Sequence, residues 1–85
     1  MNRDRKPREK DLYVRVGARI SSLMKERGLS NRQMYYLTGI DRGDMSRYRN
    51  GIREATLLTY AKIAEGLEVD ITDLFVDDGQ KPNSL

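Results

Sequence analysis

The chain has 85 residues, a net charge of +3, and neither cysteine nor histidine. That length suits one small domain with a modest core. The missing cysteines exclude disulfides and thiolate metal sites, and the missing histidines remove the commonest metal ligand and general base. No apolar run approaches the roughly 20 residues of a membrane span, and the first residues lack the apolar segment of a signal peptide. We therefore expect a cytoplasmic protein without metal, cofactor or membrane association, and not an enzyme.

The first residues predict a basic arm that precedes a helix. Residues 1–10 are almost wholly polar and contain Pro7, which predicts a flexible arm. Such an arm could contact phosphates or a minor groove, or it could only aid solubility. From Asp11 to Arg27 apolar residues recur at helical spacing, and Gly28 suits the helix end. The predicted inward stripe of this helix is Leu12, Val16, Ile20, Leu23 and Met24.

Residues 30–51 contain two N-cap candidates and two glycine stops, a pattern that predicts a helix–turn–helix. Ser30 can cap the first helix, because a hydroxyl accepts hydrogen bonds from the free N–H groups of a first turn. Gly39 ends that helix, since glycine adopts the left-handed conformation easily. Asp41 can cap the second helix, which is predicted from Arg42 to Arg49 or Asn50 and is closed by Asn50-Gly51.

The rest of the chain predicts two further helices and a tail. Thr56 can cap a helix over Leu57–Gly66, and Asp70 can cap a short closing helix. The residues predicted to face inward are Leu57, Tyr60, Ala61, Ile63, Ala64 and Leu67 in the longer helix and Ile71, Leu74 and Phe75 in the closing one. Residues 77–85 predict a flexible C-terminal tail. These elements together predict an all-α, five-helix domain over residues 11–76.

Charge is divided unevenly along the chain. Residues 1–53 contain fourteen Lys or Arg against six Asp or Glu, whereas residues 54–85 contain two against seven. A basic half that holds the helix–turn–helix favours a polyanionic partner such as DNA. Two ordinary solvated faces of uneven composition would give the same counts.

These motifs resemble the lambda-repressor/Cro-like (Cro/C1-type) helix-turn-helix family of transcriptional regulators. The family's motif appears here from Leu29-Ser30-Asn31 to Gly51, and the similarity continues through Thr56–Leu67 to the ending VDITDLF at Val69–Phe75. With the first predicted helix included, the similarity covers about residues 12–76. The resemblance implies sequence-specific binding of double-stranded DNA at a palindromic operator. It also implies a repressor of phage, mobile-element or bacterial type. No separate ligand domain is present, so we expect no small-molecule ligand.

The resemblance also implies which residues contact DNA. The second motif helix would lie in the major groove, with its N-terminal side chains at the base edges. The candidate base-contacting residues are Arg42, Gly43, Asp44, Ser46 and Arg47. The candidate phosphate-contacting residues are Asn31, Arg32, Arg49, Asn50 and Arg53. Asp44 could accept from cytosine N4, or it could orient Arg47 one turn on, and a solvated helix face is the alternative for the arginines.

The sequence departs from the family pattern at three positions. Tyr35 stands where the family has a small residue, so either the motif helices splay or the phenol lies on the surface. Arg49 stands where the family often has a Glu that pairs with the first helix, and the partner position here is Met24. Without that ion pair, Arg49 would be free to reach DNA. Glu68 stands where the family usually has Gly or Asn, which predicts a strained backbone there.

One short recognition helix contacts too few base pairs for genomic specificity. We therefore expect a homodimer on two half-sites about 34 Å apart. The candidate interface residues are Leu58, Val69, Ile71 and Phe75, and the same side chains could instead close the core. The alternative function is a protein-interaction module, such as a DNA-binding antitoxin held by a partner protein.

Overall fold

The computed structural model describes residues 5–76, with side chains described from residue 12 onward. Four α-helices, α1 (Arg5–Arg27), α2 (Asn31–Thr38), α3 (Arg42–Arg49) and α4 (Leu57–Leu67), are followed by a 3-10 helix (Ile71–Phe75). Within this described range there is no strand, so the all-α prediction is confirmed. The prediction of five α-helices is wrong, because the closing segment is too short for more than a tight 3-10 turn.

Helix α1 begins at Arg5, six residues before the predicted start at Asp11. The segment from residue 5 to residue 10, predicted as part of a flexible arm, is therefore helical. Pro7 is compatible with this start, because the first turn of a helix has no intrahelical use for an N–H at that position. Residues 1–4 of the predicted arm and the predicted tail at 77–85 lie outside the described residues.

Local capping chemistry sets the other helix starts. The side chains of Ser30, Asp41 and Thr56 each accept a backbone N–H from the first turn of the helix they precede, as predicted. Asp70 occupies the fourth cap position without a side-chain capping bond. At the end of α4, Glu68 has φ 61° and ψ 42°, which places a non-glycine residue in the left-handed region. The presence of Glu where the family usually has Gly or Asn had predicted this strain.

One hydrophobic core joins all five elements. Its most deeply buried side chains are Val16, Ile20, Met24, Met34, Met45, Ile63, Leu67 and Leu74. Three residues predicted to face inward are instead largely exposed: Leu12 (45%), Leu57 (70%) and Phe75 (43%). All three lie near an end of the predicted domain or of its helix. A periodic pattern identifies the residues that share a face, but it does not show where the neighbouring helices stop.

Helices α1 and α3 approach closely at Gly17. A Cβ atom there would collide with the carbonyl oxygen of Tyr48 and would lie 2.7 Å from that of Arg49. The other side of α3 packs on α2 through the fully buried Met34 and Met45. Helix α3 is therefore held at its C-terminal end by α1 and along its inner face by α2.

Candidate nucleic-acid interface

The outer face of α3 carries all five predicted base-contacting residues. Arg42, Gly43 and Arg47 are exposed, and Asp44 and Ser46 are half-buried. Met45 in the same helix is fully buried, so packing against the core fixes which side of α3 faces outward. The predicted set therefore lies on one accessible surface. Whether these side chains contact bases stays a prediction.

The Asp44 carboxylate holds two arginines on this surface. Its Oδ1 atom accepts hydrogen bonds from Arg47 Nη1 at 3.2 Å and from Arg53 Nη2 at 2.7 Å. The Arg53 guanidinium also lies over the Tyr48 ring, 5.2 Å from its centroid, and donates to the Tyr48 hydroxyl at 3.4 Å. The hydrogen bonds to Tyr48 and Asp44 raise the pKa of Arg53 above its ordinary value. The alternative in which Asp44 orients Arg47 is thus present, whereas the link to Arg53 was not predicted.

Arg49 is engaged within the protein. Its Nε donates to Ser21 Oγ at 3.0 Å and its Nη1 donates to Asn31 Oδ1 at 2.6 Å. The side chain of Met24, at the position where the family's ion-pair partner would stand, is fully buried. The expectation that Arg49 is free is therefore wrong, because two neutral acceptors replace the missing ion pair. Its contact with phosphate, like that of Asn31, stays a prediction.

The Tyr35 phenol lies on the surface, which decides between the two alternatives for this position. Tyr35 and Tyr36 are 47% and 68% exposed, and their rings are in contact at 5.6 Å between centroids. Arg32 lies over the Tyr36 ring at 5.9 Å and donates from Nε to its hydroxyl at 3.4 Å. These three side chains, with Asp41 and Arg42, line an open cavity of about 400 Å³. The predicted phosphate contact Arg32 therefore borders the start of α3.

Residues 19–80 match the model of the Cro/C1-type HTH DNA-binding domain. This chain belongs to the Cro/C1-type family. It is a DNA-binding transcriptional regulator, and α3 occupies the place of the recognition helix in its helix–turn–helix.

Relatives of this Cro/C1-type domain include controller proteins. Control protein C.MunI from a Mycoplasma species is 32% identical over 68 residues, which cover 79% of this chain and 92% of the relative. The restriction-modification controller protein C.AhdI from Aeromonas hydrophila has a crystal structure that matches with a TM-score of 0.72 at 30% identity, over 74% of this chain and 96% of that one. A helix-turn-helix family transcriptional regulator from Vibrio cholerae matches with a TM-score of 0.74 at 29% identity, over 78% of this chain and 37% of that one.

The remaining predicted site residues differ in how accessible they are. Asn50 is exposed after the recognition helix, and its Nδ2 donates to the carbonyl oxygen of Ser46 at 2.9 Å. Of the four candidate interface residues, Leu58 (66%) and Phe75 (43%) are exposed, whereas Val69 and Ile71 are half-buried against the core. The Phe75 ring forms a T-shaped contact with the Tyr60 ring, at 5.9 Å between centroids. Leu58 is thus the candidate whose side chain is least used by the core.

Residues 5–76 contain neither a helix that could span a membrane nor a cluster of acidic metal ligands. No helix in that range combines the length and apolar character needed to cross a bilayer. In the same part of the chain, Asp and Glu nowhere form a group of three or more that could hold a metal ion. The outer face of α3 instead presents guanidinium donors around the Asp44 carboxylate, and such groups can form hydrogen bonds with bases and phosphates.

Proposed function

We propose that this regulator binds a specific double-stranded operator by placing α3 in the major groove. The observation that supports this most directly is the exposed pair Arg42 and Arg47 on a helix whose other face is fixed by the buried Met45. Arginine is the side chain best suited to donate two hydrogen bonds to guanine O6 and N7. Gly43 and Ser46 lie on the same face and leave room for the helix to approach the groove.

We propose that phosphate contacts lie on both sides of the outer face of α3. Arg32 is exposed at the start of α2 and Arg53 is exposed after α3, so both can reach the DNA backbone on either side of the groove. Asn50, which directly follows α3 in the chain, is also exposed. Arg49 and Asn31 hold each other, so their main contribution is to fix the junction of the motif helices, with their remaining N–H groups available to phosphate.

We further propose that the regulator binds DNA as a homodimer on two half-sites. Leu57 and Leu58 are 70% and 66% exposed at the start of α4, and apolar surface of this kind marks interaction sites when it forms a patch. Leu58→Asp should shift the chain toward the monomer in sedimentation analysis. Leu37→Asp is the matched control, because Leu37 is also exposed (55%) but lies on α2. Equal masses for all three chains would contradict this interface.

The relatives support a regulatory role of the controller type. C.AhdI is a restriction-modification controller, and C.MunI is a control protein. We extend that role to this chain as a cytoplasmic, non-enzymatic regulator, with repression of its operator as the sign of control. The antitoxin-like module remains the second candidate function, and it would be marked by a protein partner rather than by an operator.

Selection of bound duplexes from a random DNA pool tests the proposal. We expect enrichment of one inverted repeat, with half-site centres about one helical turn, roughly 34 Å, apart. Enrichment of a single unrepeated half-site would contradict the homodimer alone. Salt-sensitive binding without any enriched sequence would contradict operator recognition, and negligible duplex binding together with a tight protein partner would favour the module.

A further inference from the structure

Asp44 is an anionic residue on the face that meets a polyanion. A carboxylate there is repelled by phosphates and weakens binding unless it has a donor of its own. In this structure the donors are Arg47 and Arg53, which share its Oδ1 atom at 3.2 and 2.7 Å. The two arginines come from different places, one from α3 and one from the loop after it. One carboxylate therefore holds both a candidate base contact and a candidate phosphate contact.

The surroundings favour this arrangement from two sides. The Tyr48 ring and hydroxyl support the Arg53 guanidinium while it faces Asp44. On the other side, a Cβ atom at Gly43 would lie 3.3 Å from Arg47 Nη1, so the absence of a side chain leaves room for Arg47 to fold back. Tyr48 and Gly43 thus both favour the arrangement in which Asp44 holds the two arginines.

The net charge of the Asp44, Arg47 and Arg53 side chains limits how strongly they bind DNA of arbitrary sequence. Asp44 offsets one of the two positive charges, so the three side chains together carry +1. An arginine that moves to a phosphate exchanges one ion pair for another and leaves the carboxylate facing the backbone with one donor fewer. The gain from non-specific contact is therefore small.

We propose that Asp44 determines specificity by withholding Arg47 and Arg53 from non-specific DNA. This rests on the function proposed above. At a matching site, a base donor such as the cytosine N4 amine satisfies Asp44. Arg47 is then released to a base edge and Arg53 to a phosphate, so that three favourable contacts form together. On other sequences the carboxylate keeps its arginines and binding stays weak.

The test measures binding of Asp44→Asn to a short duplex of arbitrary sequence over a range of salt concentrations. We expect the variant to bind this duplex about 2- to 20-fold more tightly than the unmodified chain, since two exposed ion pairs no longer compete. The slope of log K against log salt should steepen by about one unit for each arginine that gains a phosphate. On the selected operator, the ratio of specific to non-specific affinity should fall by about tenfold or more.

Glu65→Gln is the matched control, because it makes the same change in net charge at an exposed residue of α4. A second control is the double variant Arg47→Gln, Arg53→Gln. In that double variant, adding Asp44→Asn should no longer strengthen binding to the duplex of arbitrary sequence. Equal effects of Asp44→Asn and Glu65→Gln, or a gain that persists in the double variant, would overturn the proposal. If the unmodified chain binds no duplex even at low salt, the proposed function itself fails and this inference fails with it. Thermal unfolding of each variant verifies that it is folded.

Discussion

Replacing Gly17 by alanine would place a methyl group against the C-terminal end of the recognition helix. The added Cβ would meet the carbonyl oxygens of Tyr48 and Arg49, the second at 2.7 Å. Neither oxygen can rotate away, because both belong to the backbone of α3. To accommodate the methyl group, α1 and α3 must move apart, which loosens the contact that positions the candidate DNA-binding face.

The expected loss of stability follows from two opposing effects. Overpacking of a tight interior costs about 1–3 kcal/mol, and rigid neighbours place this site at the upper end of that range. Alanine recovers about 1 kcal/mol relative to glycine within a helix. The free energy of unfolding should therefore fall by about 2 kcal/mol, which lowers the Tm of a domain of this size by roughly 8–16 °C.

Thermal unfolding followed by circular dichroism measures this loss directly. Gly43→Ala is the control, because a Cβ atom there meets only the ends of two exposed side chains, Asp41 Oδ2 at 3.0 Å and Arg47 Nη1 at 3.3 Å, rather than two carbonyl oxygens. It should change Tm much less than Gly17→Ala does. A Gly17→Ala chain as stable as the original would refute the close α1–α3 approach and, with it, the described placement of α3.

Two other substitutions test single contacts. Arg49→Ala should lower the free energy of unfolding by about 1–2 kcal/mol in urea, because Ser21 and Asn31 lose their donor; an unchanged midpoint would contradict this. Tyr60→Phe should lower it by about 1 kcal/mol, because the Ala55 N–H loses its acceptor. Burial raises the pKa of Tyr60, so its ionisation favours unfolding as pH rises beyond about 10. The phenylalanine chain should therefore lose less stability between about pH 8 and pH 11, and parallel losses would contradict the burial effect.

Helix starts that depend on local chemistry could be predicted from the sequence. Ser30, Asp41 and Thr56 precede their helices and cap them, since a cap needs only its own side chain and the following turn. The start of α1 could not be found from apolar periodicity, because residues 5–10 contain no apolar side chain apart from proline. Their basic and acidic residues are nevertheless compatible with a helix.

Side-chain partners could be predicted only at short range. Asp44 and Arg47 are three residues apart in one helix, and the sequence pointed to their pairing. Arg53 reaches the same carboxylate from nine residues away, and Arg49 reaches Ser21 across twenty-eight. Those contacts depend on how α1, α3 and the following loop meet, and nothing in the local pattern specifies that geometry.

The most direct measurement of the central claim is the affinity of Arg42→Ala for the selected operator and for every single-base variant of it, at two salt concentrations. The proposed docking predicts a loss of about 1–3 kcal/mol and relaxed preference at one base position in each half-site. Arg32→Ala, at a predicted phosphate contact, should weaken binding to every variant alike and reduce the salt slope by about one unit. If Arg42→Ala also weakens binding equally for every base variant, Arg42 does not read a base and α3 does not lie in the groove as proposed.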